Sequence, residues 1–195
     1  MHTRRLAAFL LGCWFVGSLF MAFVATHNLR SVDHLLQSPP PEAKPILAQL
    51  GPQARPLLRH QAGELNRAYF RSWEVAQLIF GGSFAIALLP SRRHLKMPLM
   101  ITGLMLMILL LQLTVLTPEL IGQGRRLDFA ANAPPDERKL FGLLHGLYSG
   151  AELLKLGLMV VTAVLLFRQS ERLIRSRPSR ELDVVNDPDY SHVDG

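Results

Sequence analysis

The sequence predicts an all-α protein: a four-helix transmembrane bundle with its second helix extended outside the membrane, followed by a disordered C-terminal tail. Three observations carry this. The apolar residues, 49% of 195, gather into four long stretches, and the charges crowd between them. Lys and Arg outnumber Asp and Glu by 21 to 15, a net charge of +6. This excess is densest beside one end of the stretches, the pattern of positively charged cytoplasmic loops. Charge segregated in this way excludes a soluble basic domain and a nucleic-acid partner. The partner it implies is the lipid bilayer. Cys13 is the single cysteine, which excludes an intrachain disulfide framework and any multi-cysteine metal centre. On an apolar helix it reads as packing.

Residues 6–26 come first, 21 positions without a charge, enough at about 1.5 Å each to cross a hydrocarbon core of about 30 Å. The stretch is too long for a signal-peptide core, and Phe23 stands where a cleavage site needs a small residue, so an uncleaved helix is expected. Ala8 and Gly12 offer it a small-xxx-small contact face. The second segment, 69–89, is closed by Pro90. The third, 97–116, is uncharged and expected to stop at Thr117-Pro118. Its methionines read as adaptable packing. The fourth, 140–167, is the expensive one, because Glu152 and Lys155 each cost about 2.5–3.5 kcal/mol near a bilayer centre. Apolar flanks and the i,i+3 spacing of the pair favour insertion nonetheless.

Between the spans, residues 30–37 continue the first helix until Ser38 and three prolines break it. Residues 42–50 form a short helix ended by Gly51-Pro52. From Gln53 a helical pattern runs without interruption into the second span. Pro134-Pro135-Asp136 marks the start of the fourth helix. The tail after Arg180 has five acids and no Lys or Arg, and is expected to be disordered. Segments 1–5, 91–96 and 168–180 hold ten basic residues in 24 positions, against ten in 68 for segments 27–72 and 118–139. That density sets both termini in the cytoplasm.

Placed at 100° per residue, His145, Tyr148, Glu152 and Lys155 fall within an arc of about 80° on the fourth helix. His60, Glu64, Arg67, Arg71 and Glu74 share one face of the second, and Gln77 extends it inward. Lipid cannot solvate these groups, so both stripes should face the bundle interior or a wet cavity. Counted from the cytoplasmic ends, Glu74, Gln112 and Glu152 share one level. Lys155 then meets Gln77, Tyr148 approaches Arg71, and His145 reaches the level of Arg67. The charges of Glu64, Arg67, Arg71, Glu74, Glu152 and Lys155 cancel. A neutral buried network follows, with Arg71–Glu152 and Glu74–Lys155 as the expected cross-helix pairs.

Two roles fit such a network. It fixes helix register in a structural or partner-binding protein, or it binds or transports an ion or small polar ligand at Arg71, Glu74, Gln77, Gln112, His145, Tyr148, Glu152 and Lys155. A third reading, haem or metal redox, rests on His27, His60, Glu64 and His145 at the outer end. The chain lacks CxxCH, HExxH and a second histidine on the fourth helix. It also lacks GxGxxG, GxxxxGK[ST] and GxSxG. No cofactor and no enzymatic activity are therefore expected. The partner classes that remain are a second copy of the chain, another membrane protein, or the polar ligand itself.

Leu116-Thr-Pro118, Gly124-Arg-Arg126 and the F-x-x-x-H-G-x-x-S run at 141–149 resemble a bacterial family of small four-helix membrane proteins of unknown function. That family is similar to eukaryotic transmembrane protein 205. Gly12, Trp14, Gly17 and Phe20 are similar to its opening helix. The resemblance implies a four-helix fold in the inner membrane and brings no activity, cofactor or catalytic residue. The chain departs from the family pattern in its proline-rich outer loop and at Glu152-x-x-Lys155.

Overall fold

A computed structural model of the chain describes residues 2–91, 95–130 and 134–175. Residues 176–195, which include the tail expected to be disordered, lie outside the described residues. So do Arg92 and Arg93 of the link between the second and third segments. Every regular element among the described residues is a helix, the α-helices being α1 (His2–Gln37), α2 (Lys44–Leu50), α3 (Ala54–Leu88), α4 (Lys96–Leu111), α5 (Thr117–Asp128) and α6 (Pro135–Arg175). The four apolar segments fall in α1, α3, α4 and α6. Gly51 ends α2 with φ 51°, a left-handed conformation that costs glycine little.

The third segment does not stop at Thr117-Pro118. Proline removes an amide donor and its ring crowds the carbonyl one turn back. The chain answers with a π-helical turn, Gln112–Leu116, and restarts as α5 with Pro118 in its first turn, where a missing amide is harmless. What reads as an outer loop after 118 is thus helical as far as Asp128.

Among the described residues three stretches are long and apolar enough to cross a membrane: Arg5–Gln37, Lys96–Asp128 and Pro135–Gln169. The sequence-based expectation put the burden on the fourth segment. It is the second, in α3, that falls short, because Arg71, Glu74 and Gln77 dilute its apolar residues.

α3 runs antiparallel to α1 along nearly its whole length. Arg55 and Arg59 each reach Asp33 at 3.0 Å. One turn deeper, Asn28 donates to Asn66 at 2.8 Å, and Asn66 donates to the Ala25 carbonyl at 3.1 Å. Deeper still, Trp14 bonds Gln77. Small residues let the indoles in. Trp73 covers Gly17, and a Cβ on Gly81 would meet Leu106 at 2.7 Å and Trp14 at 2.8 Å. The expected Ala8/Gly12 contact face is not used this way. Both residues are exposed and border an open apolar groove of about 550 Å³ between α1 and α6.

The interior is layered. Ala7, Leu11, Trp14, Phe84, Leu88, Leu95, Met105 and Met159 form an apolar core around the N-terminal end of α1. Polar side chains fill the next level. The surface is the reverse of a water-soluble protein's, with Phe20, Phe23, Ile79, Ile86, Met100, Met107, Leu153 and Phe167 all exposed. An apolar surface on this scale needs lipid or a partner.

Candidate functional site

The polar level is built from four helices. α3 supplies Glu74 and Gln77, three residues apart and so on one face. The π turn supplies Gln112, α5 supplies Thr117, and α6 supplies Tyr148, Glu152 and Lys155. α1 adds Trp14. Glu74, Gln77, Gln112 and Lys155 are fully buried. The extra residue of a π turn shifts the faces that follow it, which brings both Gln112 and Thr117 inward.

Lys155 Nζ donates to Gln77 Oε1 at 2.8 Å and to Glu152 Oε1 at 2.9 Å. The same Gln77 oxygen accepts the Trp14 indole N–H at 3.1 Å. Gln112 Nε2 donates to Glu152 Oε1 at 3.2 Å and to the Tyr148 carbonyl at 3.4 Å. These bonds fix the orientation of both amides, since the Gln77 oxygen faces two donors and the Gln112 nitrogen faces two acceptors. The Thr117 hydroxyl donates to Glu74 Oε1. The Tyr148 ring stands edge-on to Phe70, 5.6 Å between centres, and its hydroxyl is close enough to Glu74 to feel its charge.

Four buried atoms of this cluster close no regular hydrogen bond: Gln77 Nε2, Gln112 Oε1, and Glu74 Oε2 and the Tyr148 hydroxyl, the last two of which face each other. Buried polar atoms are rarely left so, and each unpaired one costs about 1–3 kcal/mol. Two are acceptors and two are donors.

The two expected cross-helix ion pairs do not form. Arg71 is exposed and does not reach Glu152, which pairs with Lys155 on its own helix. Glu74 bonds Thr117, and Lys155 turns to Gln77. His145 is exposed and stacks on Phe141, which meets Arg67 across Gly124, so it keeps the expected level but stays outside the cluster. Six of the eight candidate positions therefore converge, while Arg71 and His145 stand apart. Trp14 and Thr117 are additions. Thr117 escaped the sequence reading because a helix expected to stop before Pro118 cannot present it.

The charges divide into two clusters instead of cancelling in one network. The second lies towards the other end of the bundle, where α3 meets α5. His60 Nδ1 lies 2.7 Å from Asp128 Oδ2, and Arg67 lies 2.9 Å from the same oxygen. Glu64 accepts from Arg67 at 2.7 Å and from Arg125 at 2.8 Å. These bonds, that from Arg125 foremost, hold the Glu64 carboxyl far below its usual range, at about 2. The Arg67 guanidinium lies across Gly124, where a Cβ would meet it at 2.9 Å.

Among the described residues, His60, Glu64 and Asp128 are the one group whose ligand atoms converge as a metal would need, all within 4.8 Å. Asp128 was not among the candidates, since it stands in what reads as a loop. Both carboxylates are already engaged by Arg67 and Arg125, so an incoming cation would have to displace guanidinium partners. His27 is exposed and stacks on Phe23, and His145 lies on another helix. The expected outer histidines thus do not converge on one another.

Comparison of the chain with protein-family models, with curated proteins and with solved structures gives no match.

Proposed function

We propose that the chain is a four-pass protein of the bacterial inner membrane, with both termini cytoplasmic, that binds or transports an ion or small polar ligand. The site is the cluster of Glu74, Gln77, Gln112, Tyr148, Glu152 and Lys155. The observation that carries this reading is a buried donor and a buried acceptor, Gln77 Nε2 and Gln112 Oε1, left without protein partners at one level of the bundle beside the loosely held Glu74 and Tyr148. A network that served only to fix helix register would gain nothing from leaving donors and acceptors unmet. Water or a ligand with both kinds of group would satisfy them.

The fourth crossing is supported by the pairing of α3 with α1. Contacts from Asp33 down to Trp14 are matched in reverse order from Arg55 to Gln77. A helix so aligned spans whatever α1 spans. Below Arg71 the outward face of α3 is also apolar, with Val75, Ile79 and Ile86 exposed, while Glu74 and Gln77 turn inward.

The test is thiol accessibility in a Cys13→Ala background. With a membrane-impermeant reagent in intact membranes, Gln112→Cys and Tyr148→Cys are expected to react, and Leu153→Cys, on the lipid face, to stay inert. If all three are equally inert in folded protein, the cluster is dry and the register role replaces the binding role.

A further inference from the structure

The inner cluster is not electrically balanced. It contains two carboxylates, Glu74 and Glu152, and one ammonium, Lys155. The groups packed against it from the other elements carry no formal charge: Trp14 on α1, Gln112 in the π turn, Thr117 on α5 and Tyr148 on α6. Arg71 does not reach it. Arg67, the nearest cation of the second cluster, is held by Glu64 and Asp128 at 2.7 and 2.9 Å. Within the inner cluster Lys155 lies against Glu152 and Gln77. Glu74 is fully buried, bonded through one oxygen to the neutral Thr117 hydroxyl, and only the neutral Tyr148 hydroxyl faces its carboxyl besides, without a regular hydrogen bond.

An uncompensated carboxylate in a water-poor interior is too costly to persist, and it acquires a proton or a counter-ion. Gln112 Oε1, an unmet acceptor, adds a neutral oxygen ligand of the kind that alkali ions take. A divalent ion would overshoot the balance.

We propose that the occupant of this site is a single positive charge held at Glu74, either a proton or an alkali cation. The inference rests on reading the cluster as a binding site and adds the class of ligand. Its consequence is a stoichiometry set by neutrality. Wild-type protein takes up one charge. Glu74→Gln leaves the Glu152–Lys155 pair balanced and takes up none. Glu152→Gln leaves Glu74 to balance Lys155 and also takes up none. Lys155→Met leaves two carboxylates and takes up two.

The experiment is infrared difference spectroscopy on the purified full-length chain in micelles at neutral pH, counting protonated carboxyl groups in choline chloride and then after adding sodium or potassium chloride. One protonated carboxyl per chain is expected in wild type, none in the two Gln variants and two in Lys155→Met. Loss of the signal on adding sodium or potassium, with release of one proton per chain, identifies the cation as the occupant. A signal indifferent to both identifies the proton. A wild-type protein with no protonated carboxyl in choline and no proton release on adding either salt overturns the inference, and needs no variant to fold. So does Glu152→Gln retaining the wild-type count. If Gln112→Cys and Tyr148→Cys still react under those conditions, the binding site stands and only its charge assignment falls. If they are inert, both fall together.

Discussion

Lys155 is fully buried, while Leu153, two positions earlier on the same helix, is 69% exposed. In water that inversion would be prohibitive. In lipid it is what the cost of a bare ammonium demands, because the interior supplies the oxygens that acyl chains lack. Gln77 is central to that supply, accepting from both Lys155 and Trp14. Replacing it with Leu should lower unfolding stability by about 1.5–3 kcal/mol, the range for hydrogen bonds to charged groups. Denaturation in mixed micelles measures this, and a loss no larger than that of Leu153→Ala would contradict the role given to Gln77. The spacing of 148, 152 and 155 made one face of the fourth helix legible, because 100° per residue needs no knowledge of neighbours. The rotation of Arg71 away from Glu152 was not legible. It depends on how α3 turns against α1, which Trp14 and Trp73 settle by packing over Gly81 and Gly17.

Among the elements, α3 and α5 carry what hydropathy alone misses. α3 lacks the average apolarity of a span because the exposed Arg71 and the inward-facing Glu74 and Gln77 dilute it. α5 exists because the π turn absorbs Pro118, and a rule that stops helices at proline removes Thr117 and Asp128 from view. The two helices are clamped by Glu64 between Arg67 and Arg125. A carboxyl held down to about 2 contributes its stabilisation in full above the ordinary carboxylate range, and loses it as pH falls towards that lower value. Arg125→Gln should therefore move the Glu64 titration up towards the ordinary 4.5, as followed by carbon-13 chemical shift of the labelled carboxyl. A wild-type midpoint already near 4.5 would show that the clamp does not form.

At the scale of the whole molecule the bundle has three levels: an apolar core at one end, the unbalanced polar cluster next, and a salt-bridged clamp at the other end. The rough placement of the four long helices could be read from the sequence, since apolar runs are local, while α5 could not. The division of charge into two clusters could not, since it depends on Asp128 and Arg125 reaching α3 from a segment that reads as loop. Everything proposed for the inner cluster requires α3 to cross the bilayer with its polar face inward. The most direct measurement is a nitroxide scan of residues 73–80 in reconstituted membranes, comparing collision with oxygen and with a water-soluble paramagnet. We expect oxygen access to peak at Val75 and Ile79 and to fall at Glu74 and Gln77, with the helical period. Uniform access to the water-soluble agent at all eight positions would place α3 outside the lipid and contradict the account.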